Sequence, residues 1–306
     1  MSNLKKKGII YKIKKEKSSY FFIAIPFILF LIFTLLPLLM AFINAFLNYI
    51  FIPQKGIKAI WVGLDNFREM IDDNVFWIAL KITFIWSIVF IPIGGIVIPL
   101  ILALLVKPFG KFSRILFRSA YYLPGIVSGV IIAMIWKWVF NPQYGLLNFL
   151  ISLGIKGDIQ INWLGNANIA LPSLLLMSLI GGGGAGMIIY LTGMDDIPKD
   201  LYESAIIDGA NSWQTLFHIT IPLLRPITLF LLIMTTIYSF QIFTQIYVMT
   251  QGGPNNATTT MVYLIYNEAF KSAKYGLASA EALVLFFIII ILSAIEFKLL
   301  ASEVEY

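Results

Sequence analysis

Neutral hydroxyl-bearing residues punctuate an otherwise apolar chain at helical spacing. Thr235 and Ser239 stand four residues apart, with Thr236, Gln241 and Gln245 close by, and Ser178 and Gly182 repeat that spacing. Residues four apart share one face of a helix. Ser128 lies in a third apolar run. Side chains of this kind suit a neutral, polyhydroxylated ligand, which needs several uncharged donors and acceptors set in apolar surface. Each such residue alone more often bonds a neighbouring helix. As a set they point to a shared cavity.

Other chemistries are excluded by what is missing. No G-x-x-x-x-G-K-[ST] phosphate loop occurs, and the glycine run Gly181–Gly186 lies inside an apolar stretch with no Lys-Ser/Thr after it. No H-E-x-x-H, nucleophile elbow or acid pair is present, and the chain has no Cys. Disulfides, zinc sites and thiol catalysis are therefore out. The single His, His218, cannot build a metal cluster alone, so neither metal nor cofactor is expected on this chain. An ion-coupled carrier places ionisable groups in mid-span. The nearest cases here, Glu281 and Glu296, fall close to span ends. The energy source is expected on another subunit.

The elements that must position these residues are membrane helices. Hydrophobic residues make up 59% of the 306 and charged residues 12%, against about 25% charged in soluble domains. Mean hydropathy is +0.87. The net charge of +6 does not indicate nucleic-acid binding, because the excess Lys sits in the first 17 residues, ahead of an apolar run. That run, 20–47, is too long for a signal peptide, whose apolar region is about 7–15 residues. It reads as a first transmembrane helix. Further runs near 76–106, 119–140, 168–191, 226–249 and 277–300 bring the expected spans to six. The Lys/Arg count is 14 on the side of the termini, the 107–118 loop and the 191–225 loop, and 8 on the other. Both termini are then expected in the cytoplasm. The expected organisation is a basic segment over 1–18, a six-span membrane domain over 19–301 and a short tail over 302–306. Trp61, Trp77, Trp136, Trp138 and Trp163 lie near outer span ends, where an aromatic belt accounts for them.

The glycine run has two readings. Small residues let helices approach closely. Alternatively the helix breaks there and lines a cavity. Four consecutive glycines exceed what packing needs, and each weakens a helix by roughly 1 kcal/mol relative to Ala, which favours the break.

The longest polar interruption of the second half is 195–226. Asp195 and Asp196 suit a helix N-terminus, and Pro198 suits a first helical turn. Leu201, Tyr202, Ala205 and Ile206 form an apolar stripe. Gly209 can take the left-handed conformation that ends a helix. Asn211 or Ser212 can cap a second short helix carrying Trp213, Leu216 and Phe217 and stopping before Pro222. The expected product is a helix–turn–helix outside the bilayer whose apolar knobs dock a partner.

Glu203-Ser204-Ala205-Ile206-Ile207-Asp208-Gly209, followed by Ala210, Phe217 and Ile221-Pro222, resembles the E-A-A-x-x-x-G loop of binding-protein-dependent ABC importer permeases, with Ser204 in place of the family's second Ala. Gly63-Leu64-Asp65-Asn66-Phe67, Arg118-Ser119-Ala120-Tyr121-Tyr122-Leu123-Pro124 and Gln251-Gly252-Gly253-Pro254-Asn255 with Thr258 to Thr260 resemble segments of carbohydrate-type members. The pattern is most similar to the first permease of maltose or glycerol-phosphate importers. The resemblance implies an all-α, six-span, type I importer permease fold in the cytoplasmic membrane. It implies a sugar or oligosaccharide as cargo, delivered by an extracytoplasmic solute-binding protein. It implies a second homologous permease and two ATP-binding cassette ATPase subunits as partners, with ATP hydrolysis on those subunits. It also implies that Glu203, Ala205, Asp208, Gly209, Trp213 and Phe217 couple the ATPase, and that substrate contacts fall near Ser128, Ser178, Gly182, Thr235 and Ser239. A glycerol-phosphate permease would need basic groups in the core spans, where none is found. A stand-alone secondary carrier would leave the docking loop without a purpose.

Overall fold

The computed structural model describes residues 17–52, 56–155, 157 and 160–300. The basic 1–18 segment, apart from its last two residues, and the 302–306 tail lie outside the described residues. An apolar helix, α1 (Tyr20–Asn44), leads to an antiparallel hairpin of β1 (Leu47–Ile52) and β2 (Gly56–Trp61). A short helix, α2 (Asp65–Asp72), precedes the long α3 (Asn74–Val106). Next come α4 (Lys111–Ile126), α5 (Gly129–Val139) and α6 (Leu146–Ile155). Helices α7 (Ala167–Gly181) and α8 (Gly184–Asp196) follow, then α9 (Lys199–Ile207), α10 (Ser212–Leu223) and α11 (Arg225–Phe240). The chain ends on α12 (Met261–Tyr266) and α13 (Tyr275–Leu300).

Helices α1, α3 and α13 are each long and apolar enough to cross a membrane, and six spans result if each bent pair counts as one. The bends are 94° between α4 and α5, 41° between α7 and α8, and 64° between α10 and α11. Each has a local cause. Pro124 and Gly125 precede the first, Gly182 and Gly183 form the second, and Pro226 starts the helix after the third. Such breaks survive at membrane depth where protein or a cavity meets the freed backbone.

The spans are helical as expected, but the stretch between the first two is a β-hairpin. Its Tyr, Ile, Phe and Trp content favours strands. Leu47 pairs with Trp61, and Phe46 stacks on Trp61 at 5.6 Å between ring centres. Asn66 of α2 donates through Nδ2 to Ala45 O (2.8 Å) and Leu47 O (3.0 Å), fastening the hairpin to the bundle. Asn66 belongs to the G-L-D-N-F segment, so that motif has a structural use.

Three buried clusters share α3. Its N-terminal half contributes Phe76 and Ala79 to one, with Leu277 and Leu285 of α13. Trp86 and Phe90 join a second with Leu174 of α7. Ala103 and Val106 complete the third with Met187 and Leu191 of α8. With 33 residues, α3 is about 50 Å long at about 1.5 Å per residue. Midway, over Ile91–Val97, it widens into a π-helical turn containing Pro92, Gly94 and Gly95. There Ile98 N–H reaches back five residues to Ile93 O, so the ring of Pro92 is accommodated without a sharp bend.

Candidate functional site

Two places carry the expected functional residues: the polar, glycine-rich middle of the bundle and the helical turn around Gly209.

In the middle, α7 and α11 converge on the π turn of α3. Leu179 of α7 packs on Gly94, where an added Cβ would lie 3.1 Å from Leu179 Cδ2. Thr235 of α11 packs on Gly95, where an added Cβ would lie 2.4 Å from Thr235 Cγ2. Ser178, beside Leu179, is half-buried, and its enclosed Oγ has no hydrogen-bond partner. Gly182, one turn on, ends α7 with an extended backbone, and Gly183 starts α8 at φ +90°. Thr235 and Leu179 thus meet the glycine pair, while Ser178 and Gly182 flank Leu179 on α7 without a contact to that pair. Gly94 and Gly95 were not singled out from sequence; the signal was the I-P-I-G-G-I-V-I-P pattern, two glycines between prolines in an apolar run.

The other two expected contacts lie differently. Ser239 is wholly buried, and its Oγ donates to Thr236 O of its own helix at 3.1 Å. Ser128 is exposed at the α4–α5 bend, and the next residue, Gly129, faces Thr244. Thr236 donates to Glu296 Oε1 at 2.7 Å, linking α11 to α13. Glu281 of α13 is fully enclosed, and neither carboxylate oxygen has a partner.

The glycine run both breaks the helix and allows close packing, at different residues. The helix breaks at Gly182 and Gly183. At Gly184 an added Cβ would meet Tyr121 O at 2.1 Å, and at Gly186 it would meet Pro99 at 2.9 Å, so those two serve close packing against α4 and α3.

The second place begins at the end of α8. Asp195 and Asp196 do not start a helix, as the acid preference suggested; they end α8. Acids are disfavoured at a helix C-terminus, and here two cations compensate. Arg114 Nη1 lies 3.2 Å from both Asp195 oxygens, and Arg118 Nη2 lies 3.4 Å from Oδ2. Pro198 is the N-cap of α9 and not part of its first turn. Of the expected apolar stripe, Tyr202 and Ala205 turn inward, whereas Leu201 and Ile206 stay exposed. Tyr202 Oη shares a hydrogen bond with Thr220 Oγ1 (3.1 Å) and receives one from Lys107 Nζ (3.4 Å). This joins α9 and α10 to the C-terminal end of α3. Tyr202 sat on the stripe, but nothing in the sequence named Thr220, Lys107 or Arg114 as its companions.

Gly209 has φ +76°, with open space where a Cβ would stand. Around it Ala210 N–H donates to Ala205 O (2.9 Å) and Gly209 N–H to Ile206 O (3.0 Å), the paired bonds of a Schellman ending with Asp208 as C-cap. Asn211 and Gln214 then form a reciprocal capping box. Helix α10 does not stop before Pro222. A π turn over Leu216–Thr220, closed by Ile221 N–H to Leu216 O, carries it through to Leu223. The result is a rigid knob bearing exposed Glu203, Ile206 and Ile207 on one side, and Trp213 stacked on Phe217 at 6.1 Å on the other. Ile206 is 71% exposed, Ile207 85% and Trp213 70%. His218 is exposed, with Nδ1 3.0 Å from Gln214 O.

These features have counterparts in known proteins. The multiple sugar-binding transport system permease protein MsmF of Streptococcus mutans is 34% identical over 95% of this chain and 97% of its own length. The structure of a bacterial ABC transporter involved in import of the acidic polysaccharide alginate contains a chain that superposes with a TM-score of 0.82 at 25% identity, covering 94% of this chain and 96% of that one. The structure of a bacterial alginate ABC transporter in complex with alginate pentasaccharide-bound periplasmic protein contains a chain that gives a TM-score of 0.81, again at 25% identity, over 94% and 95% of the two chains. Residues 95–302, from the glycine pair of α3 to the end of α13, match the description "binding-protein-dependent transport system inner membrane component". The chain belongs to that family, as a multi-pass permease subunit of an ABC transporter.

Proposed function

We propose that this chain carries a neutral sugar or oligosaccharide inward across the cytoplasmic membrane, with both termini in the cytoplasm. An extracytoplasmic solute-binding protein delivers the cargo, and a second homologous permease completes the pathway. Two ATP-binding cassette ATPase subunits supply the energy by docking on the knob around Gly209. The observation that carries this reading is the knob itself: large apolar side chains left bare on a rigidly capped turn are a docking surface. Coupling is assigned to Glu203, Ala205, Asp208, Gly209, Trp213 and Phe217. ATPase closure moves the knob, and the Tyr202–Thr220 and Tyr202–Lys107 bonds pass that motion to the inner end of α3, a rigid-body transmission.

Substrate contact is assigned to Ser128, Ser178, Gly182, Thr235 and Ser239, of which Ser178, with its unpartnered hydroxyl, is the best supported. The likeness to a multiple-sugar permease supports a saccharide cargo. Reconstitution with its ATPase and binding protein tests this: ATP-dependent uptake of a saccharide is expected. Uptake of glycerol phosphate in its place, or uptake without the ATPase, would refute it.

A further inference from the structure

At the start of α4, two arginines meet a single carboxylate, with Lys111 beside them on the same cavity. Lys111, Arg114 and Arg118, with Phe109 and Ile115, line a cavity of about 480 Å³. Among the described residues Asp195 is the one acid that pairs with the arginines, and it takes both through their terminal nitrogens. The Nε atoms of Arg114 and Arg118 are enclosed and have no hydrogen-bond partner. Lys111 has no acidic partner among the described residues. The enclosed Nε atoms are out of a ligand's reach, but three cations against one carboxylate leave an excess of positive charge at the cavity, which attracts an oxyanion.

The neighbouring side chains identify where that anion comes from. Phe112 is 82% exposed, and Ile115 and Leu116 on the same helix are more than half exposed. A cation cluster beside bare apolar side chains matches the two parts of a phospholipid, a headgroup phosphate and acyl chains. Basic clusters at the cytoplasmic ends of spans attract anionic lipids in this way, and the 107–118 loop is on the Lys/Arg-rich side. We propose that Lys111, Arg114 and Arg118 bind the phosphate of an anionic phospholipid of the inner leaflet, whose acyl chains lie on Phe112, Ile115 and Leu116. Because Arg114 and Arg118 also hold Asp195 at the root of α9, the lipid would sit next to the coupling knob and steady it.

Native mass spectrometry of the full chain co-purified with its partner subunits tests this, with phosphatidylglycerol, phosphatidylcholine and inorganic phosphate as probes. Wild type is expected to retain phosphatidylglycerol and not phosphatidylcholine, with millimolar phosphate failing to displace it. The R114Q/R118Q variant should bind at least tenfold more weakly. K111Q, which leaves the Asp195 pairs intact and so keeps the fold, should lose several-fold. K58Q on β2 should bind as wild type. Equal retention of phosphatidylcholine, displacement by free phosphate, or unchanged lipid binding in K111Q would overturn the site. Loss of the ATPase from K111Q with lipid binding intact would make the cluster a protein contact and overturn it equally.

Discussion

Thr235 of α11 lies against Gly95 of α3 so closely that no side chain fits between them: a Cβ on Gly95 would stand 2.4 Å from Thr235 Cγ2 and 2.6 Å from Oγ1. Gly95→Ala gains some helix propensity, about 1 kcal/mol, but overpacking of about 1–3 kcal/mol outweighs it. The expected outcome is a lower Tm in detergent, recovered in part by Thr235→Ala, whose remaining Cβ would still lie 2.8 Å from the new one. Failure of the double variant to recover would show that the contact is not the limiting one.

Ser178 offers a cleaner probe of the pathway. Its Oγ makes no hydrogen bond among the described residues, so Ser178→Ala should leave stability within about 0.5 kcal/mol of wild type. Uptake should show a raised KM. If KM is unchanged, the hydroxyl does not touch cargo. Gly182→Leu adds volume beside Ser178 O, 2.7 Å from the new Cβ; uptake should stop while the chain still inserts and assembles.

At the knob, Gly209 is required for its backbone angle alone, since nothing lies within 4 Å of its Cβ position. Gly209→Val should therefore lose uptake through a strain of about 1–2 kcal/mol, and Gly209→Asn, which tolerates positive φ, should retain most of it. Glu203 is exposed, so Glu203→Lys should leave Tm unchanged and weaken ATPase pull-down. Wild-type uptake and pull-down in both Gly209→Val and Glu203→Lys would remove the knob from the coupling scheme.

Glu281 is enclosed with both oxygens unpartnered, an arrangement that burdens the fold. Glu281→Met should raise Tm, by roughly 1–3 kcal/mol of stability. A raised Tm with uptake lost would give the carboxyl a part in transport; a lowered Tm would contradict its isolation.

Much of this was legible beforehand, for identifiable reasons. Span positions follow from apolar length, and the Gly209 turn from a glycine after a short amphipathic helix, because those signals are local. The Asn211 cap was readable for the same reason. The hairpin went unread, because its apolar strands sit between longer apolar runs and lack a two-residue turn signature. Asp195 misled, since its acid preference for a helix start was overridden by Arg114 and Arg118, 81 and 77 residues away. Thr220 and Lys107 were invisible as partners of Tyr202 because long-range hydrogen bonds leave no periodic trace.

The π turn in α3 has one more consequence, in helical phase. Its upstream buried residues, Phe76, Ala79, Thr83, Trp86 and Phe90, follow a regular α period. Continued past Gly94, that period would bury Val97, Ile101 and Leu105; all three are exposed, and Pro99, Ala103 and Val106 are buried instead. One extra residue in the turn advances the lower half by about 100°. The helix can thereby face α7 and α13 with one half and α8 with the other while remaining a continuous rod. Removing a single residue between 91 and 97 would leave hydrophobicity, length and charge almost untouched, yet dial the C-terminal half off α8 and present the wrong side chains to the cluster that anchors the knob.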